Sequence, residues 1–380
     1  MNASREPGRN HFQTELFANL INFLINYSSY LSLIFIPLLA TDLGAGDFGV
    51  GVAVSAYGAA FLVSSLIFGR RSDLLGRVAF VRWGCLLVSF AFLSQILAGN
   101  IYLLVLFRSF VGFSLGVVSA ALLAYVYEAV GHVGKFSSYG SLGWIFASLT
   151  AGVIKEYNLL FSSSAGLCLL AFALAWRLKE PGKVRGAGKK EEAAVPPLLP
   201  VLRRNFRIYL AIFLRHLGAQ SVWAILPLYF VWLGADKLLV GVLAGINFTV
   251  QFFAMRYVER FSAWKVFTAG QVVSIFVFLA YAAATHYSQL FIVQAVLGVS
   301  WSCLYVGALL IVMNSGEEKG TAGGIFQSTL NLCAALGPFF GGIIAHSYGY
   351  RGVMFFAASV GVAGLFTTLP GARKVSREAA

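Results

Sequence analysis

Long apolar runs, interrupted at short intervals by polar or glycine-rich segments, organise the chain from end to end. A helix crosses the roughly 30 Å hydrocarbon core of a bilayer with about 20 mainly apolar residues. Twelve stretches meet that requirement: 15–40, 47–69, 79–98, 101–127, 137–155, 158–177, 206–233, 238–257, 266–285, 288–314, 319–346 and 350–370. The pattern predicts an all-α integral membrane protein with twelve transmembrane helices. The start, "MNASREPGRNHFQTE", lacks the continuous apolar stretch of a cleavable leader, so the first span is expected to stay in place. One long polar interval, 178–205, contains "KEPGKVRGAGKKEEAAVPPLLP". Its glycines and prolines predict a flexible linker between an N-terminal bundle (1–177) and a C-terminal bundle (206–380), each of six helices.

Composition changes the solvent rather than the pattern. The chain has 380 residues, 59% hydrophobic and 11% charged, whereas soluble domains average about 45–50% apolar and about 25% charged. Too few polar groups exist to cover a surface in water, so lipid is the expected partner. A formal net charge of +13 would suggest nucleic acid in a soluble protein, but here the bases sit between apolar runs and form no basic face. Nucleic acid is not an expected partner. Lys155, Lys237 and Arg351 fall in loops on one side, Arg108 and Arg215 inside spans, and every other Lys and Arg on the opposite side. Because cytoplasmic segments retain Lys and Arg, both termini are expected in the cytoplasm. Cys85, Cys168, Cys303 and Cys333 lie in apolar runs without the close spacings of metal or redox sites. No metal or other cofactor is expected. A phosphate-binding loop of the form G-x-x-x-x-G-K-S/T is absent, which points away from ATP and toward ion gradients.

The two halves also resemble each other. "LLVLFRSFVG" (103–112) falls on "QLFIVQAVLG" (289–298) at an offset of 186, placing Arg108 on Gln294 and Gly112 on Gly298. The same offset sets Asp73 on Glu259. At an offset of 190, Pro37 matches Pro227, Gly44 matches Gly234 and Gly51 matches Gly241. A four-residue slip in the second span reconciles the offsets, and repeated units are common in transporters.

These residues resemble the major facilitator superfamily over nearly the whole chain. The most specific likeness is "GRRSDLLGRV" (69–78), similar to that family's signature between spans 2 and 3 through Gly69, Asp73, Gly76 and Arg77. "RSFVG" (108–112) resembles its fourth-span motif, with Val111 where a polar residue is common. "GPFFGG" (337–342) resembles the Gly-Pro motif that the drug-efflux branch carries in span 5, but here it lies in span 11. The resemblance implies two six-helix bundles working by alternating access, with spans 1, 4, 7 and 10 lining a central cavity. It also implies that Asp73 latches the cytoplasmic side when the cavity opens outward. That carboxylate is placed to meet a helix N-terminus, whose exposed amides favour an anion, and Glu259 is a weaker counterpart. Arg70, Arg71 and Arg82 read as topological anchors.

Polar groups inside a membrane are costly and tend to face a water-filled path or another helix. Glu15, Asn19, Asn22, Asn26 and Ser29 share one face of span 1, and Tyr209, His216, Gln220 and Trp223 one face of span 7. Tyr30, Asn247, Gln251, Gln294, Trp301, Tyr305, Gln327 and Asn331 extend the candidate cavity lining. Each amide is open to a second reading as interhelical glue. At 1.5 Å per residue, Arg108 lies roughly 10 Å below one edge of span 4 and Arg215 roughly 13 Å above one edge of span 7. Either their partners are backbone carbonyls and amides, or the substrate brings negative charge. Glu15, Glu128 and His216 are candidate proton carriers. The resulting expectation is a monomeric, proton-coupled secondary transporter of a small organic solute, including efflux of amphiphilic compounds. Uptake or exchange of an organic anion on Arg108 and Arg215 is an alternative, and a non-transporting membrane sensor is another. No nucleophile, base and metal set converges, so an enzyme is not expected.

Overall fold

With no water in the bilayer core, backbone amides and carbonyls must be satisfied within the chain, which leaves helices as the solution for apolar runs of this length. A computed structural model describes residues 6–129, 133–180, 198–316 and 318–378. Its side chains are described except at 6–12, 70, 73, 74, 127, 128, 133–135, 137, 198, 319, 320 and 369–378. Among the described residues no strand forms.

The first span is α1 (Glu6–Leu33) followed by the short α2 (Ile36–Asp42), which has Pro37 in its first turn. There the missing N–H costs no helical bond. Then come α3 (Asp47–Leu75), α4 (Arg77–Ser94), α5 (Ile101–Ala129), α6 (Val133–Ile154) and α7 (Tyr157–Ala175). The second half holds α8 (Leu198–Trp232), α9 (Lys237–Val258), α10 (Ala263–Ala283), α11 (Leu290–Met313) and α12 (Lys319–Glu378). Among the described residues ten segments are long and apolar enough to cross a membrane. One of them, Thr321–Thr368, bends at Gly349 (φ 69°, ψ 177°), so that α12 has two limbs, 319–348 and 350–378. Ser138–Ile154 of α6 is apolar but shorter. Each expected span therefore has a helix. Residues 181–197 of the expected linker lie outside the described residues.

Two compact units emerge. The first comprises Met1–Ala45, Ala56–Val184 and Lys237–Gly245; the second comprises Gly46–Ser55, Arg185–Asp236 and Ile246–Ala380. They differ from a division at the linker by exchanging Gly46–Ser55 and Lys237–Gly245, the first turns of α3 and α9. In the first unit α1 packs on α6 and α7, and α4 packs on α5 and α7. Ile21, Ile25, Val81, Val88, Phe92, Val111, Leu115 and Val118 form its core. In the second unit α8 lies along α12 while α10 packs on α11 and α12, around Ile208, Ile212, Phe267, Trp301, Leu304 and Phe326.

The internal repeat is visible as geometry. Gly44 and Gly234 take the left-handed conformation (φ 83° and 91°). Around each, the same pair of bonds closes the preceding helix: Gly44 N–H to Thr41 O (2.9 Å) and Ala45 N–H to Ala40 O (2.9 Å), against Gly234 N–H to Val231 O (2.9 Å) and Ala235 N–H to Phe230 O (3.0 Å). This is the glycine-terminated helix end in which two orphan carbonyls find donors. A second match is a cross-helix contact. Gly112 of α5 abuts the Tyr57 backbone of α3, and Gly298 of α11 abuts the Asn247 backbone of α9. Gly112 and Gly298 are related by 186 residues, Tyr57 and Asn247 by 190, as the sequence offsets require.

Candidate functional site

In the first unit, α1, α3, α5 and α6 enclose a cavity of about 220 Å³. It is lined by Ile25, Asn26, Ser29, Tyr30 and Leu33 of α1, by Tyr57 and Phe61 of α3, by Leu115 and Ser119 of α5, and by Trp144 of α6. The lining is aromatic and aliphatic with neutral hydroxyls and one amide. Apolar walls with a few polar groups are the usual chemistry of small-molecule sites.

Of the polar face expected on α1, Asn26 and Ser29 reach this cavity, as does the separate candidate Tyr30. Asn22 instead donates to Phe136 O of α6 at 2.7 Å and accepts from Asn26 Nδ2 at 2.8 Å, tying α1 to α6. Asn19 and Glu15 are buried farther toward the start of the helix. The side chains of Asp73 and Glu128 lie outside the described ones.

Arg108 is fully buried beside the cavity. Its Nη1 donates to Gln95 Oε1 at 3.3 Å, and Gln95 Nε2 in turn donates to Ser32 Oγ at 2.9 Å. The guanidinium carbon sits 4.6 Å from the ring centre of Tyr57, a cation–π distance. Nε and Nη2 have no hydrogen-bond partner among the described residues. Among the described residues, neither a carbonyl nor an acid hydrogen-bonds this arginine. An amide and an aromatic face satisfy it in part.

The second unit repeats the theme with different groups. Arg215 of α8 is fully buried; its Nε donates to Ser274 Oγ at 3.2 Å, and its guanidinium lies 5.2 Å from Trp301 and 5.5 Å from Phe278. Both terminal nitrogens lack a hydrogen-bond partner among the described residues. His216 stacks on Trp301 with centroids 4.8 Å apart and meets Trp223 edge-on at 5.5 Å. Its Nε2 lies 3.2 Å from Gln220 Nε2. Its Nδ1 has no hydrogen-bond partner among the described residues. Asn247 Nδ2 donates to Gln294 O at 3.1 Å, and Gln251 Nε2 donates to Asn247 Oδ1, making a buried polar ladder between α9 and α11. Gln327 Nε2 donates to Asn331 Oδ1 at 3.2 Å along an exposed face of α12. By sequence correspondence the Arg108–Tyr57 contact is the counterpart of Gln294–Asn247. The same helix crossing is built once with a cation on a ring and once with an asparagine amide on a backbone carbonyl.

At the loop between α3 and α4, Gly76 adopts φ 98°, a conformation that glycine alone takes readily. The first turn of α4 is capped by a residue that sequence reasoning missed: Glu180, just beyond α7, accepts from Val78 N–H at 2.8 Å. The return contact comes from Arg82, whose Nε and Nη2 donate to Ala175 O (3.2 Å) and Leu178 O (2.9 Å) at the end of α7, while its guanidinium stacks 4.5 Å from Trp176. An anion at a helix start and a cation at a helix end both oppose the helix dipole. Arg82 thus does more than anchor topology. Glu180→Ala is expected to lower the stability of the purified protein by about 1 kcal/mol and Glu180→Gln by less, read by thermal unfolding. Equal unfolding of Glu180→Ala and the wild type would remove the cap from this picture. Glu259 is exposed just after α9.

The sequence profile of the Major Facilitator Superfamily matches residues 18–250 and 208–379. The chain belongs to the major facilitator superfamily. Curated relatives within that superfamily include the multi-drug resistance efflux pump PmrA of Streptococcus pneumoniae serotype 4, 26% identical over 375 residues and covering 90% of this chain and 91% of the relative. The quinolone resistance protein NorA of Staphylococcus aureus (strain COL) is 22% identical over 373 residues, covering 91% and 93%. Among solved structures, a bacterial homolog to the human lysosomal transporter Spinster, inward-facing and unoccupied, superposes with a TM-score of 0.77 at 13% identity over 98% of this chain and 96% of that one. The nucleoside transporter NupG gives 0.73 at 14% identity over 94% and 97%. As a major facilitator protein, the chain is a multi-pass membrane protein and a secondary transporter, not an enzyme.

Proposed function

We propose that this transporter exports small, flat amphiphilic compounds from the cytoplasm in exchange for protons. The observation that carries the reading is the cavity of the first unit, where Tyr30, Tyr57, Phe61 and Trp144 offer aromatic faces and Asn26, Ser29 and Ser119 offer neutral hydrogen-bonding groups. The named resistance and efflux pumps among the relatives support the class of substrate and the direction. The lysine and arginine distribution supports cytoplasmic termini. In this reading the halves 1–177 and 206–380 alternate access across the linker 178–205. The loop with Gly69, Asp73, Gly76 and Arg77 acts as the cytoplasmic latch, and His216, Glu15 or Glu128 carries the proton.

The test uses inside-out vesicles containing the protein and a fluorescent aromatic amphiphile added outside. An acid lumen should drive accumulation of the probe, and collapsing the gradient with an uncoupler should release it. Accumulation that ignores the gradient would contradict proton coupling. A second reading, exchange of organic anions, is favoured by one observation: Arg108 and Arg215 keep buried nitrogens without hydrogen-bond partners among the described residues. It predicts uptake that requires a trapped counter-anion rather than an acid lumen.

A further inference from the structure

The cavity of the first unit has ten lining residues and none carries a formal charge. Among the described residues, no carboxylate is present in its wall to neutralise a cationic ligand. A positive charge lies beside it. Arg108 does not line the cavity, but its guanidinium lies 4.6 Å from the ring centre of Tyr57, which does. Arginine keeps its proton in proteins, and this one is fully buried with Nε and Nη2 lacking hydrogen-bond partners among the described residues. Gln95, which accepts from Nη1, is neutral. Among the described residues no acid touches the guanidinium to compensate its positive field, which reaches the cavity in a medium that screens poorly.

We propose that Arg108, acting beside the ring of Tyr57, is the charge filter of this cavity, which admits uncharged and anionic aromatic amphiphiles and rejects cationic ones. The proposal rests on the reading of this cavity as the substrate site. A ligand stacked in the cavity on Tyr57 would place its charge roughly 8 Å from the guanidinium. At an effective dielectric constant of about 20, one unit charge at that distance changes affinity on the order of thirtyfold. The volume of about 220 Å³ suits a fused bicyclic ring, so the discriminating probes are naphthalenes bearing a hydroxymethyl, an acetate or an aminomethyl group. Anion and cation are then nearly matched in shape and both lose their hydration, so their ratio reports the protein's field.

Binding of each probe to the purified full-length protein is measured by titration calorimetry at neutral pH. The wild type should bind the acetate at least tenfold tighter than the aminomethyl compound. Arg108→Gln should bring the two dissociation constants to within about a factor of two of each other, while Arg108→Lys should keep the preference. If the wild type binds anion and cation equally, or if Arg108→Gln preserves the ratio, the filter is disproved while the cavity stands as a site through its neutral ligand. If no probe binds, the cavity reading fails together with the filter. Should Arg108→Gln not fold, the wild-type ratio and Arg108→Lys still decide.

Discussion

Gly112→Val is expected to destabilise the protein severely and to abolish transport. A Cβ at position 112 would clash with the carbonyl oxygen of Tyr57 and lie 2.9 Å from its carbonyl carbon and 3.0 Å from its Cα, closer than a side-chain carbon approaches backbone. Backbone cannot swing aside as a flexible side chain does, so α5 must move away from α3. Overpacking of this kind costs about 1–3 kcal/mol and occasionally more; with backbone as the obstacle, the upper end is expected. The displaced Tyr57 would also leave both Arg108 and the cavity wall, which couples the loss of stability to a loss of binding. Gly112→Ala should fall between wild type and valine. Gly99→Ala, with nothing within 4 Å of the added Cβ, is the control and should unfold like the wild type. Thermal unfolding of the three purified variants reads the series, and indistinguishable curves for Gly112→Val and the wild type would show that α3 and α5 do not cross as described.

Arg215→Met is expected to act in the opposite sense on stability while still harming transport. A fully buried guanidinium with both terminal nitrogens unpartnered among the described residues carries a desolvation cost. The Ser274 bond and the two ring contacts offset only part of it. Replacing buried ionic groups by hydrophobic residues of similar volume is often neutral or stabilising by about 1–4 kcal/mol. Methionine fills the space against Trp301 and Phe278 and needs no acceptor. A raised unfolding temperature with transport reduced at least tenfold would mark Arg215 as retained for function, since selection keeps costly groups where activity needs them. A clear drop in unfolding temperature would instead make this arginine a structural keystone.

Much of the fold was legible because each span is set by local composition. Twelve apolar stretches became helices, and the offsets of 186 and 190 residues reappear as matched turns at Gly44 and Gly234 and matched crossings at Gly112 and Gly298. The site was less legible. Arg108 and Arg215 stood out as buried cations, but Tyr57, Ser274 and Trp301 become their neighbours only when helices distant in sequence pack together, and Gln95 only because the turn before α5 folds back on it. Tyr57, Phe61, Ser119 and Trp144 were missed, because in a lipid-solvated chain an aromatic residue facing a cavity has the same sequence signature as one facing lipid. One signal was available: the 190-residue offset places Tyr57 on Asn247, already a candidate. On α1, Asn26 and Ser29 line the cavity, whereas Asn22 spends its amide on Phe136 and Asn26. Glu180 escaped notice because it lies 102 residues from the amide it caps.

Ser29→Cys, in a background with the half-buried Cys303 replaced by serine, gives the most direct test of alternating access through this cavity. Ser29 lines it, whereas the native Cys85, Cys168 and Cys333 are buried. A membrane-impermeant thiol reagent is applied to oriented vesicles from one side and then the other, with and without the uncharged naphthalene probe. Alternating access predicts labelling from both sides, shifted in balance by the proton gradient and blocked by the probe. Labelling from one side alone under every gradient, or labelling that the probe leaves untouched, would contradict it.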